Sequence, residues 1–549
     1  MNVMKWRALR FVSWLLPLLA YLVVVLMALS SQRTPDGERA YVADEAYRSL
    51  VVGRTLVEAR IYGASRTETI PMLHDTLWHG LIGAVSVVIR DPSAVATLLG
   101  VLFGALTVLL LIRLCRSVFP YPFYGYFTAA LLVLTPRLAT LSLSGTSTPL
   151  AMCLILAAIV EHIESLSRTG KGLPKRSSLY IGLAMWLRLE FVVVWILLWV
   201  HALLMSCLPA DKKPKLAISL CRGVNGILLM ALLVLPIFLW NQAQPIRVPW
   251  PRLPDVPMAA NDWVELGSAA AWSATVSWIG EGTTEARSLM RSEAMPPGFW
   301  ARLFFALGWL LLLYQVIRTR ESRVLSFFLL PPLIMPVLMG PLYPYLGGHS
   351  FALIAASMRP VMILLVSYGV VRFPFILQSF LGKKLPLLTT DRAFNVWWGG
   401  AGGILVLMTV LNLSNDVRTQ RQELAQLDAH RQLISEAIDE YGLSRDRFAS
   451  DELGWLVWTH RVRFMDLSTA WTPRLLMLLA AHSQLQEELL WQHIAALDAG
   501  RQPTVWLIHA EEKTSLRHGL ANPQIVLQPH PIEDPGRPWL ILDASLDAL

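Results

Sequence analysis

Long apolar runs separated by short polar or basic segments dominate the hydropathy pattern of this chain. A window of about 20 residues, the length of helix that crosses a bilayer core of about 30 Å, identifies a series of candidate spans. They lie at residues 11–29, 94–113, 121–138, 149–165, 223–240, 300–317, 324–345, 351–371 and 394–413. The pattern predicts a polytopic α-helical membrane protein.

Two further apolar stretches differ in length from an ordinary span. Residues 78–89 form a short run, which predicts an interfacial helix on the outer leaflet. Residues 179–207 are too long for one span, and basic segments flank them on both sides, so we expect a hairpin of two short helices with Arg188 and Glu190 at its tip. The prediction is then about eleven transmembrane helices, with a cytoplasmic N-terminus and an extracytoplasmic C-terminus.

Composition and charge agree with membrane residence. The chain is 54% hydrophobic and 16% charged, with a mean hydropathy of +0.49, whereas soluble domains average about 25% charged residues. Its net charge of +8 indicates topology rather than nucleic-acid binding, because most lysines flank apolar runs as the positive-inside rule requires. These lysines are Lys5, Lys171, Lys175, Lys212, Lys213, Lys215, Lys383 and Lys384.

The spans divide the chain into a membrane domain and an external C-terminal region. Residues 1–414 form the predicted transmembrane domain, with external loops at 30–93 and 241–298. A long polar helix over 415–441 follows, and then short apolar runs alternate with helical patterns. This alternation predicts a small extracytoplasmic α/β domain over 415–549. The apolar runs lie at 447–450, 462–465, 504–508, 525–527 and 539–542.

An acidic pair, Asp44 and Glu45, lies in the first external loop just ahead of an amphipathic helical pattern over 49–62. Two interpretations remain open from the local pattern. The acids start the helix, since carboxylates are favoured at helix N-termini by the backbone dipole. Alternatively, they are catalytic carboxylates placed at the outer surface of the bilayer.

Several short motifs are spread along the chain: Asp44-Glu45-Ala-Tyr47, Gly53-Arg54-Thr-Leu56, Ile61-Tyr62-Gly63, Ser144-Gly-Thr-Ser-Thr-Pro149-Leu, Arg188-Leu-Glu190, and Ser450-Asp451 through Gly454 to Asp466-Leu467. They resemble motifs of the GT-C membrane glycosyltransferases, a superfamily that includes the protein O-mannosyltransferases and the bacterial lipid A aminoarabinose transferases. Two positions depart from the family pattern: Ser147 replaces an expected Glu, and Leu189 replaces an expected Pro. The role of that Glu therefore does not carry over.

The resemblance implies a GT-C-like fold and transfer of a sugar from a polyprenyl-phosphate carrier to an acceptor hydroxyl at the outer face of the cytoplasmic membrane. In such a reaction the phosphate leaves without being protonated, so the enzyme needs a base for the acceptor hydroxyl and cations for the phosphate. Asp44 matches the first acid of the family motif and is the implied general base. Glu45 is the implied supporting group.

Candidates for substrate binding are charged residues within or beside the spans, where an ionisable side chain is costly. Arg359 either grips the donor phosphate or extends to the outer headgroups, and Arg188 either does the same or pairs with Glu190. Asp75 is either a helix cap or a second acid of the active site. The remaining candidates are His74, Arg137 and His349.

The predicted partners are a polyprenyl-phosphate-linked sugar donor, a glycan, lipid or protein acceptor, and membrane lipid. The sequence identifies no cofactor and leaves a divalent metal open; His79 and His201 lack metal-ligand spacing and are interpreted as structural. An alternative function is a secondary transporter or lipid flippase of envelope precursors, and a third is a scaffold without activity. The absence of an evident internal repeat, and the ionisable residues gathered at the outer face, favour the transferase over the transporter.

Overall fold

The computed structural model describes residues 3–30, 41, 43–63, 70, 72, 74–119, 122–169, 172–207, 215–243, 299–319, 321–339, 352–381, 391–440, 447–450, 453–460, 463–466, 505–509, 528–531 and 539–543. Its α-helices are α1 (Val3–Ser30), α2 (Asp44–Glu58), α3 (Thr76–Ile89), α4 (Pro92–Val118), α5 (Pro122–Leu134), α6 (Pro136–Leu143), α7 (Thr148–Thr169), α8 (Lys175–Met185), α9 (Val192–Cys207), α10 (Leu216–Ala243), α11 (Phe299–Arg318), α12 (Pro331–Met339), α13 (Arg359–Leu381), α14 (Asp391–Glu440) and α15 (Leu453–His460). Two 3₁₀ segments cover Leu189–Phe191 and Glu321–Leu329.

The chain is a multi-pass membrane protein. Within the described residues, five helical segments are long and apolar enough to cross a membrane, and the bent pair Tyr124–Leu134 and Arg137–Leu143 brings the number to six if it is one span. The segments are Pro92–Val118, Thr148–Arg168, Leu189–Cys207, Leu216–Asn241 and Ala301–Arg318. The predicted total of about eleven spans stays a prediction, as does the interfacial position of α3.

Two predicted spans are interrupted at prolines. The span predicted over 121–138 is not one straight helix, because the chain bends by 61° between α5 and α6. The described part of the span predicted over 324–345 is also interrupted, since a 3₁₀ segment ends at Leu329 and α12 begins at Pro331. Proline has no backbone N–H and therefore begins a helix more readily than it continues one.

Three other predicted helix boundaries can be compared with the observed helices. The stretch predicted as two helices over 179–207 is indeed broken, with α8 ending at Met185 and α9 beginning at Val192. The predicted span 351–371 contains a turn at Met358, after which α13 starts. The predicted boundary between the last span and the polar helix does not interrupt the backbone, because α14 is one helix of 50 residues.

The charged end of α7 is stabilised by ion pairs with α4 and within α7 itself. Arg113 on α4 donates from Nε to Glu164 over 2.7 Å and from Nη2 to Glu161 over 3.1 Å. Arg168 also pairs with Glu164, at 3.0 Å. The acidic residues at which the apolar run of α7 ends are therefore compensated, and the helix continues to Thr169.

Buried polar side chains join α7 to α9. Leu173 donates its backbone N–H to His162 Nδ1, so the neutral His162 ring carries its proton on Nε2 and donates it to His201 Nδ1 over 2.9 Å. His201 Nε2 then lies 3.0 Å from the hydroxyl of Ser326. These bonds satisfy buried groups that would otherwise be costly, in agreement with a structural role for His201.

Two glycines allow α11 and α13 to approach each other closely. A β-carbon at Gly308 would overlap the carbonyl oxygen of Leu365, and one at Gly369 would overlap the carbonyl oxygen of Phe304. The two contacts are reciprocal, since each glycine lies against the backbone of the opposite helix. Small residues serve this purpose at helix interfaces in membranes, where close backbone packing replaces the hydrophobic effect.

The chain forms two compact units. The first comprises Met1–Ser31, Thr97–Pro236 and Ala274–Gln420, and the second comprises Gln32–Ala96, Ile237–Ser273 and Arg421–Leu549. The second unit therefore contains α2 and α3 from the first predicted external loop, together with the last part of α14 and residues that follow it in sequence. The predicted division of the chain at residue 414 stays a prediction.

The second unit contains a five-stranded mixed sheet of order β2-β1-β3-β5-β4. Four of the strands overlap the short apolar runs predicted near them, and β4 lies just after the run at 525–527. The small α/β domain as a whole stays a prediction, since the connections after β2 lie outside the described residues. The strands are β1 (Arg447–Ser450), β2 (Arg463–Asp466), β3 (Val505–His509), β4 (Gln528–Pro531) and β5 (Trp539–Asp543).

Candidate functional site

Helix α2 begins at Asp44, so both acids of the motif lie in its first turn. Ala43 occupies the N-cap position and makes no side-chain capping bond, which leaves the two carboxylates to complement the positive end of the helix dipole. The prediction that the two acids lie at the start of a helix is therefore confirmed. The contacts of Asp44 show that its carboxylate also reaches residues remote in sequence.

Both carboxylate oxygens of Asp44 accept hydrogen bonds. Oδ2 accepts from Nε of Arg48, one helical turn later, at 2.8 Å. Oδ1 accepts from the backbone N–H of Trp455, a residue 411 positions further along the chain, at 2.9 Å. The Asp44 side chain is 17% exposed, so it is accessible at one edge and held at two points.

The helix that contains Trp455, α15, also contacts α2 at its other end. The guanidinium of Arg54 donates to the carbonyl oxygens of Val457 and Trp458, each at 3.3 Å, and lies 4.6 Å from the centre of the Trp458 ring. A cation at these carbonyls satisfies acceptors that have no partner within a helix terminus. Helix α2 therefore binds α15 through a carboxylate near its N-terminus and a guanidinium near its C-terminus.

Arg431, in the last part of α14, completes this cluster. Its Nη1 donates to the carbonyl oxygen of Tyr41 at 2.8 Å and to the hydroxyl of Tyr47 at 3.3 Å. Its guanidinium lies 4.9 Å from the Tyr47 ring centre and 5.7 Å from that of Trp455. Arg431 is 4% exposed, so these interactions occur in an enclosed environment where cation–π contacts are strongest.

Tyr47 lies one turn from Asp44 and is a further ionisable side chain of the motif, besides Glu45. Burial raises the pKa of the Tyr47 phenol above its usual value, although the positive charge of Arg431 acts in the opposite direction. The hydroxyl accepts a hydrogen bond from the backbone N–H of Tyr41 at 3.1 Å. Tyr47 is therefore a neutral phenol at physiological pH, and Asp44 is the better candidate to accept a proton.

A second cluster of buried side chains lies near the start of α3. The hydroxyl of Tyr62 lies 2.7 Å from His79 Nδ1, and burial raises the pKa of this phenol. Asp75 occupies the N-cap position of α3, with a left-handed backbone at φ 55°, but its side chain makes no capping hydrogen bond. The prediction that Asp75 caps the helix is right about its position and wrong about the side-chain bond that defines a cap.

The remaining candidates divide between the two units. His74 and Asp75 belong to the second unit, as do Asp44 and Glu45; of the first two, Asp75 is buried and His74 is partly exposed. The first unit holds four others, while His349 lies outside the described residues. The four are Arg137 in the first turn of α6, Arg188 and Glu190 at the break before α9, and Arg359 at the start of α13.

The burial of Arg359 tests whether its side chain extends to the lipid headgroups or is enclosed by protein. The residue is 2% exposed and is among the largest fully buried side chains of the described residues. A guanidinium that reached the lipid headgroups would be exposed at its tip, so extension to the headgroups is wrong for this structure. Arg188 and Glu190 are likewise buried, at 6% and 8% exposure.

Sequence reasoning did not identify Arg54, Arg431 or Trp455 as parts of the site. Arg54 belongs to the motif Gly53-Arg54-Thr-Leu56, but nothing in the sequence indicates that it contacts α15. Arg431 lies in a polar helix among other exposed charges, and Trp455 lies in a short apolar run. For these two residues the sequence carries no local signal, because their partners are close only in the folded chain.

Metal binding has no clear location among the described residues. Within that part of the chain, no group of three or more His, Cys, Asp or Glu side chains has the geometry of a metal site. The divalent metal left open by the sequence therefore has no residues assigned to it.

Comparison with known proteins gives a fold but no sequence relative. No protein-family model matches the chain, and no curated protein matches it by sequence. Among solved structures, the chain is similar to ArnT from Cupriavidus metallidurans bound to undecaprenyl phosphate, with 11% identity and a TM-score of 0.50 over 100% of this chain and 99% of that chain. It is also similar to the apo state of ArnT, with 12% identity and a TM-score of 0.47 over 97% and 98% of the two chains. The chain therefore has the overall fold of ArnT along its whole length.

Proposed function

We propose that this protein is an inverting glycosyltransferase that moves a sugar from a polyprenyl-phosphate carrier to an acceptor hydroxyl at the outer face of the cytoplasmic membrane. One observation carries the proposal: a partly exposed carboxylate, Asp44, is held by two hydrogen bonds in a multi-pass membrane protein with the fold of ArnT. The polyprenyl-phosphate donor is supported by the undecaprenyl phosphate bound to ArnT, and the reaction class by the motif resemblance.

The proposed step needs one base and a stabilised leaving group. The acceptor hydroxyl loses its proton to the Asp44 carboxylate while its oxygen bonds to the anomeric carbon. The bond between that carbon and the phosphate oxygen breaks, and its electron pair leaves with the polyprenyl phosphate. Attack on the face opposite the phosphate inverts the anomeric centre. Glu45, in the same helical turn and partly exposed, orients the acceptor.

Arg359 is the proposed ligand of the donor phosphate. Its guanidinium is buried at the first residue of α13, where an ionisable side chain is costly and usually faces a polar cavity. A phosphate has the charge and the hydrogen-bond acceptors that a guanidinium binds. Arg137, Arg188 with Glu190, His74 with Asp75, and His349 remain further candidates for substrate binding.

A transfer assay tests the function. Purified protein is incubated with undecaprenyl-phosphate sugars carrying a radiolabelled sugar, together with a membrane extract that supplies acceptors. We expect the label to move from the carrier to a new linkage, with release of undecaprenyl phosphate. If no carrier gives transfer and the protein binds none of them, the proposal is wrong. Label that crosses a vesicle membrane with its linkage intact would support the transporter alternative.

Replacing Arg359 by glutamine is expected to weaken donor binding by about tenfold or more, because a charge-assisted contact to phosphate is lost. The Michaelis constant for the donor, or the dissociation constant of undecaprenyl phosphate, measures the effect. Arg318→Gln is the matched control, since Arg318 is an exposed cation in the first unit. Equal donor affinity in the Arg359 variant and the wild type would remove Arg359 from the phosphate site.

A further inference from the structure

Helix α15 packs on α2 through one polar contact near each end of α15. The charge of each contact is opposite to that of the α15 dipole at that end. The Asp44 carboxylate accepts from the third residue of α15, in the turn where backbone N–H groups lack helical partners. Arg54 binds two carbonyl oxygens in the following turn. The negative group therefore lies at the positive end of the α15 dipole, and the positive group lies toward its negative end.

The docked position of α15 is supported by burial and by a third contact. Leu456 and Val457 are buried, at 0% and 2% exposure. The indole of Trp455 lies beside the guanidinium of Arg431, which in turn binds the carbonyl oxygen of Tyr41 in front of α2. Helix α15 is thus held on α2 by backbone, aromatic and apolar contacts rather than by a single ion pair.

We infer that α15 is a positioning element for the proposed reaction: the Trp455 N–H orients the Asp44 carboxylate, and Arg54 keeps α15 in place to do so. This inference rests on the proposed function. Arg48 binds one oxygen of the carboxylate and the Trp455 N–H binds the other. Fixing both oxygens defines the plane of the group, and this sets the direction in which the carboxylate meets an acceptor hydroxyl.

One of the two hydrogen bonds of the Asp44 carboxylate comes from a residue 411 positions further along the chain. Within α2, Arg48 holds the carboxylate at Oδ2. The Trp455 N–H holds it at Oδ1 as well. Preorganisation of a base in this way contributes to the rate rather than to donor affinity.

Proline substitution separates the contribution of the Trp455 backbone N–H from that of the Trp455 indole. Trp455→Pro removes the donor in the first turn of α15, where proline is tolerated. Trp455→Ala removes the indole and keeps the N–H, and Gly454→Pro places proline one residue earlier. We expect kcat of Trp455→Pro to be about tenfold or more below that of Trp455→Ala, with an unchanged dissociation constant for undecaprenyl phosphate. Gly454→Pro should retain the wild-type rate. Equal kcat values for the Trp455 variants would overturn the inference.

A cross-link tests the role of Arg54 in the same molecule. Arg54→Cys and Trp458→Cys are combined in a chain whose exposed cysteines, Cys207 and Cys221, are replaced by serine. Without a cross-link, we expect kcat to fall because the contact at the C-terminal end of α15 is lost. A short bismaleimide that joins the two cysteines should restore it, whereas a monofunctional maleimide should not. Cross-linked protein that is less active than the open form would show that α15 obstructs Asp44 instead, and would overturn the inference even if Trp455→Pro fails to fold.

The two proposals fail in different ways. If the wild-type protein transfers no sugar and binds no carrier, the proposed function is wrong and the inference falls with it. If the wild type transfers sugar and neither the proline nor the cross-link series changes kcat, the function stands and α15 has a structural role only.

Discussion

Replacing Asp44 by asparagine is expected to lower the rate of sugar transfer by at least about 100-fold, the lower limit of what general base catalysis usually contributes. Asparagine has the shape of aspartate and can still accept the Trp455 N–H, but its amide cannot take the acceptor proton. Initial rates with a radiolabelled donor measure the loss. Binding of undecaprenyl phosphate should remain close to that of the wild type, because the change leaves the proposed phosphate site untouched.

Two neighbouring substitutions serve as controls for Asp44→Asn. The asparagine amide would also face Nε of Arg48, which donates to Asp44 Oδ2 in the wild type. Arg48→Gln therefore tests how much of the loss comes from that contact alone, and it should cost less than Asp44→Asn. Glu45→Gln changes the other acid of the pair and should also cost less. Turnover near the wild-type level in Asp44→Asn would refute the assignment of Asp44 as base.

Replacing Gly369 by leucine is expected to prevent the native packing of α11 against α13 and to abolish the yield of monodisperse protein. The added β-carbon alone would overlap the carbonyl oxygen of Phe304, and backbone atoms cannot move aside as the end of a flexible side chain can. Overpacking by one or two carbons already costs about 1–3 kcal/mol in well-packed interiors. Gly308→Ala and Gly369→Ala should accordingly lower the melting temperature in detergent.

The chain offers a matched control for these glycines. Gly403 lies in α14, and no atom of the described residues lies within 4 Å of the position that its β-carbon would take. Gly403→Leu should therefore fold with the yield and melting temperature of the wild type, even though it adds the same side chain to a helix. If Gly369→Leu also folded normally, the close approach of α11 and α13 would not be needed for stability.

Part of this architecture could be predicted because the residues that determine each feature are close to one another in the sequence. A helix that crosses lipid must be apolar over its own length, so α4, α7, α9, α10 and α11 are visible as runs of hydropathy. The break between α8 and α9 was predictable for a related reason. The apolar stretch is too long for one span, and basic segments on both sides place its two ends on the same side of the membrane, so the chain has to turn within it. The position of Asp44 at the start of α2 also follows from the preference of acids for helix N-termini.

Other helix boundaries were not predictable from hydropathy. The bend between α5 and α6 and the 3₁₀ segment before α12 interrupt stretches that are apolar throughout, so composition does not distinguish them from a straight span. The predicted span over 149–165 is shorter than the observed helix, which continues to Thr169, and Arg113 from another helix compensates the acids at its end. This last boundary therefore depends on a contact from outside the segment.

The sequence by itself determined that this is a multi-pass membrane protein and that an acid pair opens a helix after the first span. Only the tertiary structure decided what holds Asp44: one oxygen bonds to Arg48 within the same helix, and the other bonds to a backbone N–H 411 residues away. A backbone N–H is present at nearly every residue and leaves no mark in a sequence. The partner of Asp44 is therefore selected by the docking of α15, which depends on contacts distributed over α2, α14 and α15 together.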